Sequence, residues 1–397
     1  MANTNLTIDM ITNEALMILH QKSNFLGTIN RQYDDSYAKA GAKIGDTLRI
    51  RLPNQYVVRN GAALNTNDTT ETSTSLQVAT QTGVDVNFTS EELALDIDTF
   101  SDRILKPAMS VLASNIEADV MNVFKDVSNQ ASNVGAAFTF AKVLEGSKIL
   151  TDNLTPYSQR CLNLATQDNV DMVTALSGLF NAQDKLSSNY KEGRIAGPFA
   201  GFDDIYENTL WPSFTTGSDD GTGDHLVNGG SQTGASVTHS SNGGGTFVIG
   251  DIITFAGCNS VHPETKADTG NLKQFVVTAD MSATATTVSI SPSISTSGGA
   301  QNCAASPTGG GAITKVGGAS AVHNISLGYS SDAFAFATAD LVMPSGVDMA
   351  ARKVMDGISM RIVRDYDINN DRFPCRVDVL YGYKAIRPEL ACRYANN

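Results

Sequence analysis

Charge is scarce in this 397-residue chain, where Asp, Glu, Lys and Arg together make up 17%, against about a quarter in an ordinary soluble protein. So little charge suits either a surface that other subunits cover or a Thr/Ser/Asn-rich β protein, and composition leaves both open. Basic excess is missing too: 28 Lys and Arg stand against 41 Asp and Glu, a net charge of -13. Gripping phosphates needs clustered cations, so tight nucleic-acid binding is excluded, although DNA can be enclosed without being gripped. No apolar run reaches the roughly 18 residues of a membrane span, and Met1 to Asn5 lacks the charged and apolar regions of a signal peptide. A soluble protein made in a cytoplasm, without membrane contact, is expected.

Cysteine is sparse and unpatterned. Cys161, Cys258, Cys303, Cys375 and Cys392 are odd in number, widely spaced and free of any C-x-x-C pair, so neither a disulfide framework nor a zinc site is indicated. Reduced, mostly buried thiols are expected. The five histidines, His20, His225, His239, His262 and His323, show no metal-binding spacing and read as surface or interface residues. The nucleophile elbow, the P-loop and the dinucleotide glycine motif are all missing. Asp365-x-Asp367-x-Asn369 imitates the start of a calcium loop, but Asn370 replaces its glycine and Arg376 its terminal glutamate, so a polar turn between strands is expected. Asp219, Asp220 and Asp224 read as a solvated Gly-rich loop. No catalytic, cofactor-binding or metal residue is singled out, and the chain is not expected to be an enzyme.

What is present is a 41% hydrophobic chain, long enough for two or three domains at about 150 residues each. Asn13 to Leu26 has a short helix-like pattern, followed by a polar stretch to Lys43. Leu48, Ile50 and Leu52 alternate with Arg49 and Arg51, and Val84, Val86 and Phe88 alternate with Asp85 and Asn87. Two half-exposed strands follow, read as one long β-hairpin with a polar tip around Asn65 to Thr74. Such a ribbon has little core of its own. Thr89-Ser90-Glu91-Glu92 is a helix start, and Ile104, Ala108, Leu112, Ile116, Val120, Val123 and Val127 give helical spacing over Ser101 to Val127, with Pro107 near its entry. Ala141 to Leu150 predicts a second helix and Cys161 to Leu164 a strand.

Composition changes after Trp211-Pro212. From Phe214 to Gly318 the chain is rich in Gly, Ser and Thr, and Phe247 to Phe255, Phe275 to Val277 and Val288 to Ile290 read as strands. This predicts an all-β insertion with a core of Phe247, Ile249, Ile252, Phe255, Phe275, Val277, Val288 and Ile290. The glycine-rich loops at its ends suggest few contacts across its boundary and separate folding. The α/β pattern resumes at Asn324, with strands near Met360 to Val363 and Arg376 to Leu380.

Three segments carry a resemblance: Ala200-Gly201-Phe202-Asp203-Asp204-Ile205, Gly250-Asp251-Ile252-Ile253-Thr254-Phe255-Ala256-Gly257, and Leu380-Tyr381-Gly382-Tyr383-Lys384-Ala385-Ile386-Arg387-Pro388-Glu389. In order and spacing the chain resembles the coat protein family of Salmonella-type short-tailed phages. That resemblance implies an α+β tailed-phage major capsid fold of the Hong Kong 97 type. It would place an N-terminal arm at 1–43, an extended β-hairpin loop at 44–88, and the peripheral domain with its spine helix and the first part of the axial domain at 89–213. An inserted β-barrel-like domain would follow at 214–318, and the remainder of the axial and peripheral domains at 319–397. The function implied is a structural subunit, in the virion, of an icosahedral shell assembled in the host cytoplasm around packaged double-stranded DNA, through a scaffolded procapsid that expands. Its partners would be itself in hexamers and pentamers, a scaffolding protein, a portal protein and, in some phages, a decoration protein. The competing reading is a β-rich phage decoration protein or adhesin, against which the long helix and the returning α/β pattern tell.

Overall fold

The computed structural model describes residues 24–31, 47–56, 72–89, 106–176 and 198–396 apart from 223, 242–244, 356, 357 and 371, together with 15, 17, 58, 61 and 62. Of the helix start expected at Thr89 to Glu92, Thr89 ends a strand and 90–92 lie outside the described residues, as do most of the Asn13 to Leu26 pattern, the hairpin tip at 65–71, Ile104 and His20. The fold is α+β and divides into two compact units, 1–51 with 73–121 and 334–386, and 52–72 with 122–333 and 387–397.

The first unit is organised by the strand Arg372–Ala385. It pairs antiparallel with Phe334–Ala339, with Ile358–Arg364 and, over ten residues, with Thr80–Thr89, while Met349–Met355 extends the sheet from Ile358–Arg364. Val377, Val379, Leu380 and Tyr381 are buried along it, and a strand so long can support several partners at once. This corrects the hairpin reading. Val84, Val86 and Phe88 belong to the strand that pairs with Arg372–Ala385, and the return strand of the ribbon is Ser73–Gln77, in register with Thr47–Arg51. Alternation showed which segments are strands, but period two says nothing about which edge each will find.

The helix Lys106–Met121 buries Met109, Leu112, Ala113, Ile116, Val120 and Met121, spaced three and four apart, and continues into a 3-10 turn at Asn122–Asp126. Pro107 stands at its second described position. Glu117, buried on this helix, accepts the amide of Phe25 at 2.6 Å. Phe25 and Leu26 on the short helix Asn24–Thr28 are buried, and Asn30 bridges to Ala335. The latter part of the expected arm is therefore packed into this unit, because Phe25, Leu26 and Ile29 are too apolar to stay in water.

The second unit is a mixed sheet with a barrel inserted in it. The sheet runs Gln130–Ser132, Ala391–Asn396, Val322–Ser330, Arg160–Ala165, Asp204–Asn208, parallel at its two ends and antiparallel in the middle. Phe140–Asp152 forms the second helix, and Thr166–Leu176 a third that the sequence reading missed. Phe138, Val143, Leu150, Leu162, Leu164, Met172, Phe202 and Tyr394 make the core between helices and sheet. Gly146 is required on the second helix because any Cβ there would run into the Tyr394 ring.

The insertion is a six-stranded antiparallel sheet in the order Ile313–Lys315, Ile252–Val261, Asp268–Val277, Thr287–Ile294, Gly234–Ser241, His225–Val227. Its edges meet: the Val227 amide donates to Gly311 O at 2.9 Å and the Gly310 amide to Val227 O at 2.8 Å, which closes a barrel. Phe247, Phe255, Phe275, Val277, Val288 and Ile290 lie in its core with Val227, Val237 and Ile253. Ile252 is buried outside that cluster, and Ile249 is 41% exposed. The reason is local: Gly250 at φ +97° ends the segment before Ile252–Val261 begins, so the alternation read from Phe247 does not continue through Ile249. Phe214 is outside the barrel, on the strand Ser213–Thr215 that pairs with Val322–Ser330 of the mixed sheet.

Candidate assembly surfaces and the seat of the inserted barrel

The ribbon Thr47–Arg51 with Ser73–Gln77 is a candidate contact element because two strands bury so little of themselves. Ile50 and Leu76 are buried, Leu48 and Leu52 are half-buried, and Arg49 and Arg51 face solvent. Towards the tip, Tyr56 and Val58 are 63% and 82% exposed.

On the five-stranded sheet, charges pair across strands in register. Asp85 stands opposite Arg376 at 3.0 Å, and Arg361 opposite Asp378 at 2.7 Å, with Arg376 bridging to Asp378 at 3.6 Å. The hydrogen bond from Arg376 to Asp85 holds that guanidinium's pKa above its ordinary value. Asp85, Arg361 and Arg376 line an open groove with Pro344, Val347 and Cys375. Burial pushes the Cys375 thiol up to about 11, so it is a poor nucleophile at neutral pH.

The acidic motifs resolve into turns. Asp367 accepts the Asn369 amide at 3.0 Å and Asn370 Nδ2 at 2.7 Å, closing the connection between Ile358–Arg364 and Arg372–Ala385. Asp219 departs from the expected solvated loop: it is buried, accepts the Gly221 amide at 2.8 Å and lies 3.4 Å from His225 Nε2. Among the described residues no group of three His, Cys, Asp or Glu side chains is placed to hold a metal ion. The histidines also differ from the surface reading, since His225, His239 and His323 are buried. His225 sits edge-on to His239 and beside Phe247, and His323 edge-on to Phe214.

The barrel is seated by Arg393, which sequence reading passed over. Cys392-Arg393-Tyr394 lies on a strand buried at every position, and an arginine inside a fully buried run was the available signal. Its guanidinium donates to Gln130 Oε1 at 2.7 Å and to Gly250 O at 2.5 Å, and covers the Phe214 ring at 5.6 Å. Burial lowers its pKa to about 9, an effect that the Asp251 charge opposes. Beside it, Gln130 and Gln274 exchange backbone and side-chain hydrogen bonds at 2.8 and 3.1 Å. Lys315 Nζ donates to Gly217 O and Gly318 O, tying the two ends of the insertion together. Contacts across the boundary are therefore more numerous than the glycine-rich loops suggested, because they are polar and come from residues distant in sequence.

His323 makes this seat sensitive to acid. Burial first, and then the Arg393 charge, lower its pKa from 6.5 to about 4. The folded chain keeps this imidazole neutral, so below pH 6.5 the unfolded chain binds a proton that the fold refuses. Stability is then lost as pH falls from 6.5 towards 4, up to about 3 kcal/mol at about 1.4 kcal/mol per pKa unit. Burial raises the pKa of Asp168 and of Asp251 in the same unit, and these shifts act in the opposite sense, so the difference between wild type and His323→Phe isolates the histidine. Urea melts of both proteins at pH 7 and pH 4.5 should show the wild type losing more; equal losses would remove His323 from the account.

Comparison with protein families matches residues 26–393 to the family described as P22 coat protein, gene protein 5. Comparison with curated proteins gives no match. Among solved structures, one described as Mycobacterium phage Che8 is similar at 10% identity, covering 94% of this chain and 90% of that one with a TM-score of 0.49. The capsid of Ralstonia phage GP4 is similar at 7% identity, covering 95% and 92% with a TM-score of 0.49. A satellite phage P4 procapsid including the size determination protein is similar at 10% identity, covering 97% and 91% with a TM-score of 0.41.

Proposed function

This chain belongs to the P22 coat protein family and is a tailed-phage major capsid protein, a structural subunit of the virion shell, and we propose that it reaches that shell through a scaffolded procapsid that expands. In this reading the subunits gather as hexamers and pentamers around a portal, with a scaffolding protein inside during assembly and, where the phage encodes one, a decoration protein outside. The DNA is held by enclosure, consistent with a net charge of -13. The role is mechanical and not catalytic.

The observation that carries the mode of assembly is the ribbon. Tyr56 and Val58 stand exposed in the segment of chain that follows Thr47–Arg51, whose pairing with Ser73–Gln77 buries only Ile50 and Leu76. Exposed apolar groups on a ribbon without its own core suit a neighbouring copy of the chain as their cover. The proposed layout keeps 1–43 as arm, 44–88 as the loop region, 89–213 and 319–397 as peripheral and axial parts, and 214–318 as insertion.

Replacing residues 61–71 by a short glycine linker leaves Thr47–Arg51 and Ser73–Gln77 intact. The shortened chain, co-expressed with its scaffolding protein, should fold as a monomer and yield few closed shells by electron microscopy. Shells as abundant as those of the wild type would remove the ribbon tip from assembly. Small oligomers under every assembly condition for the wild type would instead overturn the scaffolded route.

A further inference from the structure

We infer that Asn228-Gly229 is a self-modification site, where the folded chain deamidates without an enzyme and the isoaspartate left behind opens the seam that closes the barrel. Three Asn-Gly pairs occur in the sequence, at 60–61, 228–229 and 242–243, and Asn60 and Asn242 lie outside the described residues. Glycine in the second place matters because it sets no Cβ between the asparagine side chain and the next backbone nitrogen.

Asn228 directly follows the strand His225–Val227, and both it and Gly229 are exposed. Its backbone is held: the amide donates to Thr238 O at 3.0 Å, and the carbonyl accepts Gln232 Nε2 at 2.8 Å and Thr238 Oγ1 at 3.3 Å. Its side chain is free. Among the described residues none hydrogen-bonds to the Asn228 carboxamide and none accepts the Gly229 amide, so the electrophile and the nucleophile are both unengaged and adjacent. Asn259, before the small Ser260, differs in donating its carboxamide to Asp268 at 3.2 Å.

The chemistry needs only water. The Gly229 nitrogen gives up its proton and attacks Asn228 Cγ, the bond from Cγ to Nδ2 breaks, and ammonia leaves with that proton, closing a succinimide ring. Water then adds to either ring carbonyl. Addition at Cγ breaks the new bond and leaves aspartate, whereas addition at the main-chain carbonyl breaks the old peptide bond and leaves isoaspartate. One water enters, one ammonia departs, nothing is oxidised or reduced, and either product adds one negative charge.

The position makes isoaspartate consequential. Val227, one residue earlier, makes the two bonds to Gly310 and Gly311 that close the barrel. Gly229 and Gly230 lie backbone to backbone on Gly309, where a Cβ would stand 2.9 Å from the Gly230 nitrogen and 3.1 Å from the Gly229 carbonyl carbon. Packing this close does not absorb a longer chain. In isoaspartate the chain runs through Cβ and Cγ and gains one backbone atom, while the former Asn228 carbonyl becomes a free carboxylate, displaced from the donors of Gln232 and Thr238.

The test ages the folded full-length protein in mildly alkaline heavy-oxygen water, beside a sample unfolded in urea. Digestion follows in ordinary water, so that only deamidation during ageing carries the label. Peptide mass spectrometry reads position 228, isoaspartate methyltransferase reports the isomer, and hydrogen exchange follows the Val227 and Gly310 amides. The expected result is labelled isoaspartate at 228 in the folded protein, with protection of Val227 and Gly310 lost in step. Asn228→Gln, whose ring closure would need one more atom, should keep its carboxamide and its protection over the same period. Asn228 intact in the folded protein while the unfolded sample converts would overturn the site, and conversion with unchanged protection would overturn its effect on the seam. The wild-type measurements decide both points even if the glutamine variant fails to fold.

Discussion

Arg393→Ala is expected to destabilise the second unit by about 3–5 kcal/mol, the scale of two buried hydrogen bonds from a charged donor. The loss has identifiable parts. Gly250 O and Gln130 Oε1 lose a charged donor, at about 1.5–3 kcal/mol for each such bond, and the Phe214 face loses the cation over it. Part of this is returned, because the variant no longer carries a guanidinium that is 1% exposed. Arg393→Met retains much of the volume while leaving the same two acceptors unsatisfied, so it should fall between wild type and alanine. Urea midpoints and soluble fractions of the three proteins measure the effect. If methionine equals wild type, the arginine acts as filler and the polar seat of the barrel is not needed.

Phe255→Ala should cost a similar amount, about 3–5 kcal/mol, for a different reason. Phe255 is fully buried, its ring 5.3 Å from that of Phe275, in the centre of the barrel cluster. Truncation removes the ring's transfer energy and leaves a cavity that closely packed neighbours cannot collapse to fill. The barrel is small, and a loss of this size approaches the whole stability of many small domains. The soluble yield of the entire coat protein should fall more than the quality of the shells that do form, since the barrel's ends are tied through Lys315 and Arg393 to the surrounding sheet. Soluble fraction and thermal transition, compared with shell counts by electron microscopy, distinguish the two. Unchanged yield with malformed shells would mean that the barrel acts in the particle and not in folding.

Much of the candidate assembly machinery could be read in the residues, and the limits follow from what local pattern carries. Leu48, Ile50 and Leu52 alternating with arginine specified a strand, and the four-residue spacing of Leu112, Ile116 and Val120 specified a helix, because both periods are set by backbone geometry within a few residues. The glycine-rich composition after Trp211 marked an insertion for the same local reason: it favours turns and short strands over helix. The buried histidines and Asp219 were missed because burial of a polar side chain depends on the walls around it. His323 is next to Phe214 across more than one hundred residues of sequence, and nothing near either residue announces the other.

The sequence by itself determined many of the strands and two of the helices, the all-β character of the insertion, the low charge and, through three short segments, the family. Tertiary structure alone decided that Thr80–Thr89 joins Arg372–Ala385 instead of returning on Thr47–Arg51. It alone made Arg393 the anchor of the barrel. Strand and helix periods are short-range properties of the chain. Partner choice and burial of a charge depend on contacts between residues far apart in sequence, which only the folded chain brings together.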